Sequence, residues 1–139
     1  MGYSISEVAK RTGLSIFTLR YYDKVGLLPF VDRTPRGVRD FKESDFDWLA
    51  VITCLKETGM PVKEIKQFID WCLEGDSTLK DRLEVFIEHK KKVAEQIKLL
   101  EKHMKKIDHK IWYYETSLTA GTESIHSDQK CKLREIDSD

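Results

Sequence analysis

Apolar residues recur every three or four positions along most of this chain, a spacing typical of amphipathic helices. In the first such segment Ser4 and Glu7 match a capping box, which predicts a short helix that stops at Gly13. Ser15 can cap a second helix, and Gly26 can close it. Two short helices joined through a glycine-containing turn predict a helix-turn-helix.

The second predicted helix has one apolar and one polar side. We expect Leu19 to pack against the first helix and Tyr22, three residues later, to be partly buried. The other side can present hydrogen-bonding and basic groups to base edges and phosphates, as a recognition helix requires. The alternative is that both adjacent tyrosines are core aromatics. The candidate DNA-binding residues on this helix are Ser15, Phe17, Thr18, Arg20, Tyr21 and Lys24.

The stretch "LLPFVDRTPRGVRDF" at 27–41 contains two prolines and a glycine, which disfavour a helix. Val31 and Val38 flank a turn-rich tip, the pattern of a small β-hairpin. Beside a helix-turn-helix such a basic hairpin would be a wing that grips the DNA backbone, although chance surface charge is the alternative. Its candidate phosphate-binding residues are Arg33, Arg36 and Arg39.

Two further helices are predicted before residue 76. The segment "ESDFDWLAVITCLKETG" has apolar residues at helical spacing and ends at Gly59, and "PVKEIKQFIDWCLEG" repeats this pattern between Pro61 and Gly75. Together they indicate a second, helical wing. The expected packing stripes are Trp48, Val51, Ile52 and Leu55 on the first helix, and Val62, Ile65, Ile69 and Cys72 on the second.

From residue 79 onward the apolar positions alternate strictly by four and three as far as residue 118. Lys90 is the one polar residue in this seam, where it could fix the register. A long helix with one narrow apolar seam needs a partner, so we predict a coiled coil that forms a homodimer through residues 79–118. The apolar seam residues are Leu79, Leu83, Phe86, Val93, Ile97, Leu100, Met104, Ile107, Ile111, Tyr114 and Leu118.

Composition narrows the class of protein. The 139 residues suit one domain with an appendage, and no apolar run is long enough to cross a membrane. The start lacks the apolar core of a signal peptide, and three cysteines make no disulfide framework, so we expect a cytoplasmic protein with free thiols. The net charge is zero, yet residues 10–42 carry eight basic against three acidic residues, which permits local binding to a polyanion.

Three segments together resemble the DNA-binding domain of the MerR-type transcription regulators. They are "TLRYYDKVGLL" at 18–28, "RTPRGVRDF" at 33–41 and "LKETGMPVKEI" at 55–65, within a resemblance that covers about residues 3–75. The resemblance implies a mainly α fold: a winged helix-turn-helix with a small β-hairpin wing, then a helical wing and a long coiled-coil dimerisation helix. We accordingly expect three regions: 1–75 for DNA binding, 76–118 for dimerisation and 119–139 as a polar, flexible tail.

The same resemblance implies partners and a mode of action. An antiparallel homodimer would bind an inverted repeat in double-stranded promoter DNA and distort it, so that RNA polymerase meets the promoter elements correctly. Family wings commonly carry a tyrosine that contacts a phosphate where this chain has Val38, so that contact is not transferred. Arg39 matches the family pattern and keeps its predicted role.

The signal to which the protein responds is less constrained. The histidines and cysteines show no metal-ligand spacing, no cofactor is implied, and no acid/base or nucleophile constellation suggests an enzyme. Cys72 aligns with the apolar stripe of its helix, which favours a core role, whereas Cys54 points away from the stripe of its own helix. Residues 38–60 also resemble the aldehyde- and thiol-stress branch of the family, the AdhR/NmlR type, which implies that Cys54 senses electrophiles.

The opposing interpretations remain open at this point. Cys54 lies toward the end of its helix, where the dipole disfavours a thiolate, so a lysine-rich partner helix would have to supply positive charge. One alternative is that Cys54 is an inert interface residue. Another is that the protein is a regulator of the same family with a different effector or with none. From a different class of function, the chain could be a coiled-coil module that binds protein.

Overall fold

The structure, a computed structural model, describes residues 2–127 and divides into two compact units after His89. The predicted fold class is confirmed: the chain is mainly helical, with one two-stranded antiparallel hairpin and a long helix toward the C-terminus. Its elements are α1 (Ile5–Thr12), α2 (Ile16–Lys24), β1 (Asp32–Arg33), β2 (Arg39–Asp40), α3 (Glu43–Glu57), α4 (Val62–Glu74) and α5 (Leu79–Ala120).

Helices α1 and α2 form the helix-turn-helix of the first unit. The capping box at Ser4 and Glu7 is present, since each residue's side chain accepts a hydrogen bond from the other's backbone N–H. Gly13 ends α1 with a left-handed φ of 76°, a conformation that side chains with a Cβ disfavour. Leu19 is buried as expected, and Tyr22, for which partial burial was predicted, is fully buried as well, so α2 turns its other face outward.

The hairpin follows α2 and is short. Its strands pair Asp32 with Asp40 and Arg33 with Arg39, and an isolated bridge between Tyr3 and Phe41 adds the start of the chain beside them. The two valines that flank the predicted tip are not equivalent: Val31 is buried, whereas Val38 is exposed.

In the helical wing, the packing stripes are rotated relative to the prediction. Leu49 rather than Trp48 is fully buried on α3, and Phe68 joins Ile65 and Ile69 in the core side of α4. Trp48, Val51, Val62 and Cys72 pack at the margin and are only partly buried. This rotation arises because α3 has apolar residues on both sides of its stripe, so that its periodicity alone left the inner side ambiguous.

The core of the first unit joins all of these elements with the beginning of α5. Val85 packs against it, and the Phe86 ring meets the Phe68 ring edge to face with centroids 5.0 Å apart. The buried apolar cluster comprises Val8, Leu19, Tyr22, Leu27, Leu28, Val31, Phe41, Leu49, Ile52, Leu55, Met60, Ile65, Phe68 and Ile69.

The second unit contains the remainder of α5 and a short 3-10 turn, Glu123–His126, that folds back on the helix. His126 is buried, its ring stacks on Tyr113 at 4.4 Å, and its Nε2 lies 2.6 Å from the Thr116 hydroxyl. The Tyr113 hydroxyl donates to Glu123 at 3.1 Å.

The first residues of the region that was expected to be a polar, flexible tail are ordered instead. Helix α5 continues to Ala120, two residues past the expected end of the dimerisation helix, and residues 121–127 follow as a turn packed on the helix. A buried histidine among aromatic residues explains the difference, because a mostly polar segment gains order from one such contact. Cys131 and the rest of the expected tail lie outside the described residues.

Candidate nucleic-acid interface

The outward face of α2 carries four of the nine predicted DNA-binding side chains. Phe17, Arg20, Tyr21 and Lys24 follow the i, i+3, i+4, i+7 spacing of one helix face, and all four are exposed. Leu19 lies on the opposite side, in the core. The helix-turn-helix therefore displays a continuous aromatic and basic surface.

Ser15 and Thr18, two further predicted contact residues, have a local role. The Ser15 hydroxyl accepts the Thr18 N–H at 2.9 Å and donates to the Thr18 hydroxyl at 2.8 Å. These bonds satisfy the first turn of α2, because the leading N–H groups of a helix have no internal partner. The two residues thus fix where the recognition helix begins.

The wing lies against the other end of α2. Arg39 forms an ion pair with Asp23, the last acidic residue of α2, and donates from Nη1 to the Val31 carbonyl at 2.7 Å. Arg33 Nη2 lies 4.0 Å from the same carboxylate, and its Nη1 donates to the Gly37 carbonyl at 2.8 Å. Asp23 consequently joins the recognition helix to both strands of the hairpin.

The three arginines of the wing are therefore placed differently. Arg36 is exposed at the tip and Arg33 is half exposed, whereas the Arg39 side chain is 19% exposed and holds the hairpin against α2. Sequence reasoning missed Asp23, although it is the acidic residue of the "RYYD" segment and falls at the end of the recognition helix. The ion pair with Arg39 neutralises this carboxylate, the one acidic group of α2.

A second polar junction connects α1 with the start of α3. Arg11 contacts Glu43 at 3.1 Å, the Tyr3 hydroxyl donates to the same carboxylate at 2.8 Å, and the guanidinium lies 4.2 Å from the Phe46 ring centroid. The hydrogen bonds from Arg11 and then from Tyr3 lower the pKa of Glu43, and the Glu43 carboxylate raises the pKa of Arg11. This junction, which the sequence analysis also missed, orients the helical wing relative to the helix-turn-helix.

Cys54 is exposed on α3, in agreement with its position off the packing stripe. Thr58 lies one turn further along, donates to the Cys54 carbonyl at 2.7 Å and sits 2.7 Å from Nε2 of His89. The structure thus places an imidazole near the end of α3.

Cys72 has a different environment. It is half-buried, and burial raises the pKa of its thiol, an effect that Arg82 partly opposes from 3.9 Å. Cys72 therefore matches the core role that its position in the apolar stripe predicted, with its sulfur at the margin of the core.

The described part of the chain contains no cluster of three or more histidine, cysteine or acidic side chains placed to hold a metal ion. Within residues 2–127, no helix has the length and apolar character required to cross a membrane. The exposed side chains of α2 are aromatic and basic, and the exposed hairpin tip carries Arg36.

An exposed recognition helix braced by a basic hairpin is the architecture of a winged helix-turn-helix DNA-binding protein. Comparison with known protein families shows to which family of such proteins the chain belongs. The model of the MerR HTH family regulatory proteins matches residues 3–70, and that of the MerR DNA-binding region matches residues 46–111. The chain belongs to the MerR family of helix-turn-helix transcription regulators.

Several relatives resemble most of this chain. An uncharacterised HTH-type transcriptional regulator of Haemophilus influenzae is 38% identical over 122 residues, which cover 88% of this chain and 90% of the relative. The regulator AdhR of Bacillus subtilis is 35% identical over 92 residues, 66% of each chain. The crystal structure of HiNmlR, a MerR family regulator lacking the sensor domain and bound to promoter DNA, superposes with a TM-score of 0.82.

That structural match has 38% sequence identity and covers 90% of this chain and 99% of HiNmlR. The chain is accordingly a DNA-binding transcription regulator, and the expectation that it is not an enzyme is confirmed by its relatives. The alternative of a coiled-coil module that binds only protein is set aside by the same finding.

Proposed function

We propose that this regulator binds an inverted repeat in promoter DNA as a homodimer and distorts the duplex between its half-sites. The single observation that carries the proposal is the exposed face of α2, where Arg20 and Lys24 lie on the same face as two aromatic residues, beside a basic wing. Such a face can enter a major groove while the hairpin follows the backbone. HiNmlR, of similar fold, is bound to promoter DNA.

The proposed division of labour assigns base edges to the recognition helix and phosphates to the wing. Arg20 would read a base edge, and Arg33 and Arg36 would contact phosphates. Arg39, which is paired with Asp23, would mainly hold the wing in place and would contact a phosphate through the exposed part of its side chain. The further proposed contact residues are Ser15, Phe17, Thr18, Tyr21 and Lys24.

Binding assays with specific and random duplexes test this assignment. We expect Arg20→Ala to weaken specific binding more than non-specific binding, because a base contact counts only on the correct sequence. Arg36→Ala should weaken both equally and reduce the dependence of affinity on salt. Equal loss on both duplexes for Arg20→Ala would contradict its base-reading role.

The proposed homodimer accounts for the apolar seam of α5. Within the described residues of the single chain, most seam side chains are at least half exposed, including Leu100 at 65% and Leu118 at 84%. An apolar stripe of this length on one helix is unstable in water unless a second helix covers it. A second copy of the chain has the matching 4-3 spacing.

Two neighbouring leucines provide a matched test of this seam. Leu100 lies in the seam, whereas Leu99 is similarly exposed at 55% but points away from it. Leu100→Asp should convert the dimer to monomer at micromolar concentration in sedimentation experiments, and Leu99→Asp should leave it dimeric. Dimers from both variants would refute assembly through this stripe.

We further propose that Cys54 responds to aldehydes or other electrophiles. Its support is the exposed thiol together with the similarity to AdhR. Cys54→Ser should bind promoter DNA normally and lose the transcriptional response to added aldehyde, while the matched variant Cys72→Ser should keep it. A normal response from Cys54→Ser would leave the cysteine as an interface residue and point to another effector or none.

A further inference from the structure

Phe17 is the most exposed large apolar side chain in the first unit, among the residues described. It is 82% exposed, although phenylalanine is commonly buried. It is the second residue of α2, directly within the turn that Ser15 caps. The free chain gains little packing from this ring, so its contribution is expected in a complex.

The surroundings of Phe17 define the chemistry of its partner. At about 100° per residue, Tyr21, Arg20 and Lys24 lie within about 60° of Phe17 around the helix axis. The acidic residue of this helix, Asp23, is held by Arg39 on the wing side. Phe17 thus lies at the N-terminal end of a helix face that also carries two basic residues, and this face is complementary to a polyanion with an apolar feature beside its phosphates.

Double-stranded DNA offers such a feature in the major groove. The 5-methyl group of thymine is the one apolar group that the base edges present there, and phenylalanine is among the residues that contact it. We propose that Phe17 is a specificity-determining residue that selects thymine in each half-site by packing its ring on this methyl group. The inference rests on the proposed function, because it requires α2 to enter the major groove.

Replacing thymine by 2′-deoxyuridine tests the contact, since this change removes only the methyl group. The full-length protein would first select its binding site from a random duplex library. Each thymine of the selected site would then be replaced in turn by deoxyuridine. We expect affinity to fall about fourfold at one position per half-site, as for loss of one buried methyl group, and about sixteenfold when both half-sites are changed.

Variants assign the effect to Phe17. Phe17→Ala should bind the thymine and deoxyuridine duplexes equally, and Phe17→Leu should keep part of the preference. Because the ring is exposed, both variants should unfold at the wild-type temperature. The control Arg20→Ala should lose affinity for both duplexes and keep their ratio. Arg36→Ala should weaken the salt dependence, which Phe17→Ala should leave unchanged.

The proposal fails if no replacement weakens wild-type binding, or if Phe17→Ala keeps the wild-type preference for thymine. The second result would assign the contact with the thymine methyl group to another side chain of the recognition helix. Failure of the selection to enrich any sequence would overturn the proposed function as a whole. Enrichment without methyl dependence would overturn only the role of Phe17.

Discussion

The ion pair between Asp23 and Arg39 is predicted to hold the wing against the recognition helix, and Asp23→Asn removes it. The side chains are 28% and 19% exposed, so the pair lies between two well-characterised limits. Breaking a buried pair costs about 3–5 kcal/mol, and exposed pairs contribute about 0.2–1 kcal/mol. We expect Asp23→Asn to lower the free energy of unfolding by about 2 kcal/mol.

Urea denaturation at one protein concentration measures this change. For an m-value of about 2 kcal/mol/M, the midpoint should fall by about 1 M. Asp32→Asn is the matched control, because Asp32 belongs to the same hairpin but is 69% exposed and lies 3.8 Å from Lys42. That variant should lose no more than about 0.5 kcal/mol. A fixed protein concentration is required, since dimerisation shifts apparent stability by mass action.

A double-mutant cycle separates the pair from other effects of the substitution. Asp23→Asn and Arg39→Gln together should cost clearly less than the sum of the single changes. Additive losses, or an Asp23→Asn variant as stable as Asp32→Asn, would refute the reasoning that this pair anchors the wing. Promoter binding should follow the same order, because a detached hairpin no longer presents Arg33 and Arg36 together.

Three further predictions follow from other parts of the structure. The hydrogen bonds that lower the pKa of Glu43 stabilise the fold above the ordinary carboxyl pKa of 4.5, and this stabilisation is lost as the pH falls through the folded-state pKa. Glu43→Gln should therefore reduce the decline in the free energy of unfolding, measured with urea, between neutral pH and pH values below 4.5. Iodoacetamide should alkylate exposed Cys54 faster than Cys72, whose thiol is partly buried and has a raised pKa, as measured by peptide mass spectrometry; equal rates would contradict the assigned environments. His126→Ala should accelerate amide hydrogen exchange in residues 121–127 without affecting the first unit, and unchanged exchange would show that the stacking on Tyr113 does not order this turn.

The features that the sequence predicted correctly depend on neighbours along the chain. The caps at Ser4 and Ser15 and the left-handed Gly13 are local, because a cap bonds to a backbone group only a few residues away. The seam of α5 is similarly visible, since its 4-3 spacing requires only a continuous helix. The outward position of Cys54 followed from the same geometry.

Other features depend on residues that meet only after folding. Asp23 reaches Arg39 across 16 positions, and Thr58 meets His89 across 31, so neither contact leaves a periodic signal in the sequence. Leu49 rather than Trp48 is buried in the core because of the elements that pack around α3, and these are not evident from the sequence of α3 alone.

The sequence by itself therefore determined the helices, the caps of the first two and the seam, because these depend on local hydrogen bonds and on helical periodicity. Only the tertiary structure decided which charges are neutralised and which remain exposed. Charge pairing depends on distances between elements, and these distances made Asp23 and Arg39 part of the scaffold while leaving Phe17, Arg20 and Lys24 on the surface.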